Sequence, residues 1–341
     1  MRTRFEIGAV LGLFMVCAIW GSAQKSASGP APLVQTGAIP LTNVRGRIDH
    51  FAFDLKNRLF VSALGNNTEE VIDLSAQRVV HTITGIPTPQ GVAYSPETNK
   101  IFVASAKGKL YIYDGTSFAL VSSINFGGDV DNLRYDALEK RVYVGYGDDE
   151  TAAIGMVDAT TNQRLPEEFK VGAHPESFQL EQSGPNIYVN LPDTKQIAVV
   201  NRKTGAVSRW ALELEGNFPM ALDEANHRLF VATRSPARMA VFDTSNGHLL
   251  AAFSCAQDAD DLYYDAARKR IYVSGGEGII SVFQQKDADH YEPLARIPSA
   301  VGARTAGYVG KLGKKAFDRL YLAVPARAKQ GAEVWIYTVQ E

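Results

Sequence analysis

The sequence predicts an all-β fold, a seven-bladed β-propeller whose blades each contain four antiparallel strands. One observation is a strand motif that occurs seven times: a basic or polar residue, an aliphatic residue, an aromatic residue, and Val or Leu. A repeat period in the low forties with strand signals alone is typical of propellers. The copies lie 41 to 49 residues apart and begin at Arg58, Lys100, Arg141, Asn186, Arg228, Arg270 and Arg319.

Residues 129–145 show how one repeat is built. Leu133 and Tyr135 alternate with polar neighbours, residues 136–140 form a charged turn, and an apolar run follows from Arg141. This pattern indicates a β-hairpin. A third strand follows in each repeat, and in most copies an Asp or Asn then begins a tight turn that leads into a fourth strand. Four antiparallel strands per repeat make one propeller blade.

The two ends of the chain complement each other. The seventh repeat supplies strands near residues 305–308, 319–324 and 334–339, and no fourth strand follows them. Residues 33–41 precede the first hairpin and have the pattern of a fourth strand. We therefore expect residues 33–41 to complete the last blade, because this pairing closes the ring and removes both unpaired edges.

The first residues predict export. Arg2 and Arg4 precede an apolar run over residues 7–20, and small residues follow at 21–23. This is the pattern of a cleaved signal peptide, here residues 1–23, and the run is shorter than the ~20 residues of a membrane-spanning helix. Residues 24–32 predict a flexible spacer and residues 33–341 a single propeller domain. We expect a periplasmic or secreted protein with no transmembrane span in the mature chain.

The net charge and the absence of known catalytic motifs limit the classes of function that the sequence supports. A formal net charge of -2 gives no general attraction to nucleic acid, so no nucleic-acid partner is expected. The sequence contains no G-x-S-x-G, H-E-x-x-H, C-x-x-C or Walker motif. These absences favour a binding protein over an enzyme, without deciding the question.

Four short motifs carry a resemblance to a known family. They are Gly-Val-Ala-Tyr-Ser-Pro at Gly91, Tyr-Val-Asn at Tyr188, Val-Ile-Asp at Val71, and an apolar-Val-x-Thr-Ile ending at Ile83. Over residues 33–341 the chain resembles the YVTN-type seven-bladed β-propeller proteins, within the WD40-like superfamily, although it lacks the Gly-His and Trp-Asp pairs of true WD40 repeats. The resemblance implies the fold. It leaves activity open, because the relatives include lactone hydrolases, an antibiotic lyase, redox-enzyme domains and binding modules.

When the innermost strands of the seven repeats are aligned, the polar residues at their starts fall around the mouth of the central channel. We expect these residues to form a polar ring that binds a ligand, and the alternative is a rim that is polar only because it is wet. The candidate ligand-binding residues are Asp49, His50, Gln90, Asp131, Asn132, His174, Glu176, Asp260, Asp261 and Arg304.

Three functional hypotheses follow. The first is a binding module that recognises a small polar ligand or a partner protein at this face, without chemistry of its own. The second is a lactone hydrolase or lyase, with His50 or Glu176 as general base, Arg304 stabilising an oxyanion, and Asp131 or Asp260 positioning the substrate. The third is a surface-interaction repeat protein that uses its outer strands.

The metal content stays open at this point. Calcium takes six to eight oxygen ligands, and Asp49, Asp131, Glu176 and Asp260, together with Asp261, offer carboxylates for it if they converge across the channel. A zinc or copper site shared by His50 and His174 is disfavoured, because we expect these residues, on blades 1 and 4, to lie almost opposite each other. No other cofactor is expected.

Overall fold

A computed structural model describes residues 30–312, 317–328 and 330–341. The predicted signal peptide and most of the predicted spacer therefore lie outside the described residues. Within them, 28 strands form seven four-stranded antiparallel sheets, and consecutive strands of the chain lie side by side in each sheet. The predicted all-β seven-bladed propeller is confirmed.

The strands follow one another in chain order from blade to blade. Strand β1 (Leu33–Leu41) comes first. Blade 1 contains β2 (Phe51–Phe53), β3 (Arg58–Ala63), β4 (Thr68–Asp73) and β5 (Arg78–Thr84). Blade 2 contains β6 (Pro89–Ser95), β7 (Lys100–Ser105), β8 (Lys109–Asp114) and β9 (Leu120–Asn125). Blade 3 contains β10 (Val130–Asp136), β11 (Arg141–Tyr146), β12 (Ala153–Asp158) and β13 (Gln163–Lys170).

The remaining blades repeat this order. Blade 4 contains β14 (Phe178–Leu180), β15 (Asn186–Leu191), β16 (Gln196–Asn201) and β17 (Val207–Ala211). Blade 5 contains β18 (Met220–Asp223), β19 (Arg228–Arg234), β20 (Ala237–Asp243) and β21 (Leu249–Ser254). Blade 6 contains β22 (Ala259–Asp265), β23 (Arg270–Gly275), β24 (Ile279–Gln285) and β25 (Tyr291–Pro298). Blade 7 contains β26 (Ala306–Val309), β27 (Arg319–Val324) and β28 (Ala332–Val339).

Short 3-10 helices occupy some of the loops. They span Leu64–Asn66, Asp149–Thr151, Pro192–Thr194 and Glu224–Asn226. No helix within the described ranges has the length and apolar character needed to cross a membrane.

The recurring motif is the second strand of every blade, and its aromatic residue explains the packing of the ring. Each of these aromatic side chains is at most 1% exposed and packs against residues of the following blade. Burying a large aromatic side chain between neighbouring blades stabilises the ring. The residues are Phe60, Phe102, Tyr143, Tyr188, Phe230, Tyr272 and Tyr321.

Strand β1 closes the ring as the sequence predicts. It pairs antiparallel with β28 from Leu33 opposite Val339 to Leu41 opposite Ala332. Ile39 and Leu41 are buried in a core that joins residues of blades 7 and 1. The last blade therefore takes one strand from the beginning of the chain and three from its end.

The acidic residues after the third strands are turn residues, also as expected. The carboxylate of Asp114 accepts hydrogen bonds from the backbone N–H groups of Thr116 and Ser117. Asp158 makes the same pair of bonds to Thr160 and Thr161. These side chains stabilise tight turns and do not contribute to the channel mouth.

One buried carboxyl group belongs to β4, the third strand of blade 1. Glu69 is fully buried, and one of its oxygens accepts a 2.8 Å hydrogen bond from the hydroxyl of Ser62. Its other oxygen has no hydrogen-bond partner among the described residues. Burial raises the pKa of Glu69 well above its ordinary value of 4.5, with a smaller contribution from Glu70. The folded protein therefore holds a proton that the unfolded chain releases.

We expect Glu69→Gln to gain stability relative to the wild type as the pH rises. Because the pKa of Glu69 is higher in the folded state, the wild type loses stability above the unfolded pKa, at up to about 1.4 kcal/mol per pH unit. The variant has no such loss, so its advantage should grow steadily as the pH rises from 4 toward 8. Urea unfolding at pH 4, 6 and 8 measures this, with exposed Glu167→Gln as the control. Parallel profiles for the wild type and both variants would contradict the expectation.

Candidate functional site

A cavity of about 460 Å³ opens at one end of the central channel, and we call it the funnel. Its walls are the innermost strands of blades 1 to 6 and the connections that enter them. Because the innermost strands lie closest to the ring axis, residues at their starts converge there. Seven of the ten predicted ligand-binding residues line it: Asp49, His50, Asp131, Asn132, Glu176, Asp260 and Asp261.

β-Bulges at the starts of two innermost strands explain why consecutive residues line the funnel. The register of β10 against β11 shifts between Val130 and Leu133, and that of β22 against β23 shifts between Ala259 and Asp261. A bulge leaves an extra residue unpaired and re-aims the side chains next to it. Both residues of the Asp131-Asn132 pair consequently face the cavity.

Asp131 lies at the centre of the charged groups. One carboxylate oxygen lies 4.0 Å from Nε2 of His50, and the other lies 3.7 Å from Nε2 of His174. Asp131 therefore lies between the two histidines, and the group of potential metal-ligand atoms around it includes His174 but not His50. Burial raises the pKa of Asp131, but His174 and His50 outweigh it and bring the pKa below its ordinary value.

In the metal-free protein, neighbouring carboxylates raise the pKa of both histidines. Burial alone would lower the pKa of His50, but Asp49, Asp261 and Asp131 outweigh this effect and raise it to about 9. Burial likewise opposes protonation of His174, yet Asp131 and the carbonyl of Gly147 raise its pKa to about 10. A protonated imidazole has no free lone pair. In this charge state His50 is a poor general base, which weakens the hydrolase or lyase hypothesis.

Three funnel carboxyl groups have raised pKa values. Burial raises the pKa of Glu176 to about 8, and repulsion from Asp131 and Asp260 adds to the effect. Burial also raises the pKa of Asp261 to about 7 and that of Asp49 to about 6. A further positive charge in the funnel would favour the ionised form of these groups.

Arg304 is bound to carboxylates beside the funnel and does not line it. Its Nη1 lies 2.9 Å from Oδ1 of Asp258, and its Nε lies 3.1 Å from Oδ2 of Asp260. Arg234 also reaches Asp260 at 2.6 Å and lies over the ring of Phe218. Because these carboxylates engage Arg304, its guanidinium is not directed at a substrate in the cavity, as the predicted oxyanion role requires.

Two other predicted residues lie outside the lining of the funnel. The amide of Gln90 donates to Oδ1 of Asp129 at 3.0 Å and to the carbonyl of Val130 at 3.3 Å, so it joins blades 2 and 3. His174 lies behind Asp131, with Nδ1 2.9 Å from the carbonyl oxygen of Gly147. It still contacts the funnel through the carboxylates of Asp131 and Glu176.

Several site residues were missed from the sequence. Arg47 and Arg134 line the funnel, and Arg234 supports it from the end of β19. Arg234 lies next to the loop between the second and third strands of blade 5. Loops of this kind lie on the face of the ring where the funnel opens, so the sequence position of Arg234 could have identified it as a site residue. Arg134 lies in a regular strand pattern and gave no signal.

One group of side chains has the arrangement of metal ligands. Within the described part of the chain, potential donor atoms of Asp131, His174 and Glu176 all lie within 4.8 Å of one another. Asp49 and Asp260, the other two carboxylates considered for calcium, are not part of this group. The imidazole donor distinguishes the group from an all-oxygen site.

Comparison with known proteins gives one weak sequence match. No protein-family model matches the chain. It is 26% identical over 156 residues to the uncharacterized protein YncE of Salmonella typhi, a match that covers 44% of each chain. The chain thus matches less than half of the length of this curated relative.

Solved structures share the architecture. A chain of hydrazine synthase from Kuenenia stuttgartiensis is 14% identical, with a TM-score of 0.70 over 86% of this chain and 100% of that one. A chain of the mitotic checkpoint complex is 11% identical, with a TM-score of 0.71 over 94% of this chain and 100% of that one. At such identities the likeness concerns the fold alone. The seven-bladed ring and the similarity to YncE together support a β-propeller of the YncE/YVTN type.

Proposed function

We propose that this protein is a binding module that holds a small, positively charged polar ligand in the funnel. One observation carries the proposal: five carboxyl groups line a cavity of about 460 Å³. Cavities of roughly 300 to 1,000 Å³ are the usual size of small-molecule sites. The carboxyl groups are those of Asp49, Asp131, Glu176, Asp260 and Asp261.

The arginines that line the funnel are already engaged. Arg134 donates from Nη1 to the side-chain oxygen of Asn132 at 3.1 Å and to the carbonyl of Leu133 at 2.8 Å. Arg47 lies 3.1 Å from Asp49, and its side chain is 48% exposed at the rim. Each guanidinium therefore has at least one of its nitrogens occupied by a partner within the protein. Carboxyl groups outnumber each other kind of charged side chain in the lining, which includes Arg47, Arg134 and His50 as cationic groups.

The site is also held in place before a ligand arrives. Asp261 accepts a 2.8 Å hydrogen bond from the backbone N–H of Ala306, which ties it to blade 7. Asp260 is held by Arg234 and Arg304. Side chains fixed in this way lose little freedom on binding, which favours affinity.

Isothermal titration calorimetry with simple probes tests the proposal. We expect agmatine, putrescine or spermidine to bind, and neutral or dicarboxylate analogues of similar size to bind at least about 10-fold more weakly. Affinity should rise from pH 6 to pH 8, because Asp261, with a pKa of about 7, becomes charged over that range. Asp261→Asn should weaken binding at pH 8 by about 10-fold, roughly 1.4 kcal/mol, and flatten this rise.

The control is Glu292→Gln on the outer strand β25, which should bind the probes like the wild type. Preferential binding of dicarboxylates, or an unchanged affinity in Asp261→Asn, would count against a cationic ligand. If Asp261→Asn bound anions more tightly than the wild type does, the funnel would be a site for anions, contrary to the proposal.

Export belongs to the same proposal. It is supported by the basic start and apolar run of residues 1–23, which lie outside the described residues. A protein partner at the same face stays an alternative, since loops around a rigid ring often carry recognition.

A further inference from the structure

We infer that Asp131, His174 and Glu176 form a binding site for a divalent cation of the zinc class. We call these three residues the metal group. The inference rests on the proposed function in one respect, because it takes the funnel as the place where a cation binds. It goes further in naming the ligands and the kind of ion.

The spacing of the metal group suits an ion. Nε2 of His174 lies 3.7 Å from Oδ2 of Asp131 and 3.9 Å from Oε2 of Glu176. These separations exceed the usual length of an N–H···O hydrogen bond. Ligands about 2.0 to 2.2 Å from a tetrahedral ion lie about 3.3 to 3.6 Å apart. Contraction by a few tenths of an ångström would therefore bring His174 to ligand spacing from each carboxylate, and the donor atoms of the two carboxylates lie within 4.8 Å of each other.

A second observation concerns the other ring nitrogen of His174. Nδ1 lies 2.9 Å from the carbonyl oxygen of Gly147 and 3.4 Å from Oδ1 of Asp148. Binding of Zn²⁺ at Nε2 must displace the proton that the neighbouring carboxylates favour there. In the resulting neutral ring Nδ1–H donates to that carbonyl, and Nε2 is the nitrogen next to Asp131 and Glu176. Metal-binding histidines commonly have this support, which fixes the tautomer and the orientation of the ring.

The donor set favours zinc-class ions over calcium and magnesium. His nitrogen and Asp or Glu oxygen are zinc ligands, and a site with three protein ligands leaves the fourth position open to water or another ligand. Calcium instead takes six to eight oxygens. The open position here faces the funnel, because Asp131 and Glu176 both line that cavity. The metal group also lies close to His50, whose Nε2 is 4.0 Å from Oδ1 of Asp131.

The experiment uses the purified protein after removal of metal with a chelator. Titration with Zn²⁺ alone should show one site, and Co²⁺ should give visible absorption bands in the same site. His174→Ala should weaken Zn²⁺ binding by more than about 100-fold, beyond the 10- to 100-fold effect of losing a supporting residue. Glu176→Gln provides a second variant with little change in shape. His290→Ala, which removes an exposed histidine paired with Asp287, is the matched control.

The outcomes are distinct. Zn²⁺ binding that is lost in both funnel variants and kept in His290→Ala supports the inference, provided that both variants keep the circular dichroism spectrum of the wild type. Absent Zn²⁺ binding, equal binding in His174→Ala, or tighter binding of Ca²⁺ than of Zn²⁺ would overturn it.

Agmatine titrations separate this inference from the proposed function. If agmatine binds and depends on Asp261 while Zn²⁺ does not bind, the metal inference fails and the proposed function stands. If Zn²⁺ binding depends on His174 while no organic cation binds, the metal site stands and the organic ligand is wrong. If neither binds, both fail.

Discussion

Replacing Ile39 with Asp is expected to destabilise the protein by more than about 4 kcal/mol, because it places a carboxylate in a closed apolar core. Ile39 is fully buried in β1, opposite Val334 of β28. Around it lie Leu59 of blade 1 and Tyr321 of blade 7. The substitution therefore destabilises the junction at which the two ends of the chain close the ring.

The matched control is Val34→Asp, five residues earlier in the same strand. Val34 is 41% exposed and pairs with Thr338, so its new carboxylate stays in water. We expect a cost of about 0.5 kcal/mol or less there. Urea unfolding followed by far-ultraviolet circular dichroism compares the two variants, which carry the same change in charge. Equal stability of both would show that closure through β1 contributes little.

The fold was predictable because one buried residue repeats. The aromatic residue of each second strand fills the same space between blades, so the sequence repeats where the packing repeats. The pairing of β1 with β28 followed from a missing strand and an unpaired one. Exact strand ends were less accessible: β28 begins at Ala332 rather than Val334, and β14 has only three residues. Such ends depend on loop geometry that a hydrophobic pattern does not record.

The sequence predicted most of the polar residues that line the funnel but not the arrangement of their side chains. The repeat fixed which residues begin each innermost strand, and most of the predicted polar residues indeed meet there. It could not show that Gln90 turns toward Asp129 or that Arg304 pairs with Asp258. It also did not show that the carboxylate of Asp131 lies between His50 and His174. Side-chain direction and channel width decide these points, and both depend on bulges and on contacts between blades.

Gly91 connects the stability of the ring to the geometry of the funnel. It lies in β6, at the position of blade 2 that corresponds to Asn132 in blade 3. A Cβ atom on Gly91 would lie 2.1 Å from the backbone oxygen of Asp131 and 3.2 Å from Cα of Asn132. Real Cβ atoms essentially never approach another atom closer than 3.0 Å, so the backbone of one blade must move.

Gly91→Ala should therefore cost about 3 kcal/mol of stability, at the upper end of overpacking effects. The atom that must move belongs to Asp131, so the variant should also bind Zn²⁺ at least about 10-fold more weakly, the scale of a disturbed supporting contact. Urea unfolding and Zn²⁺ calorimetry measure the two effects. Gly331→Ala is the control, because its Cβ would meet no atom within 4 Å.

The pair of effects distinguishes Gly91→Ala from His174→Ala. Loss of the imidazole removes a ligand without moving the backbone of either blade, so the fall in Zn²⁺ binding should be its larger effect, with some loss of stability because Asp131 loses a partner. Displacement of the Asp131 backbone should lower both, because the same contact between β6 and β10 holds the blades together and sets the carboxylate among its neighbours. A stable Gly91→Ala variant with normal Zn²⁺ affinity would show that the inner strands can separate there without moving Asp131. The close approach of the two blades would then have no part in building the site.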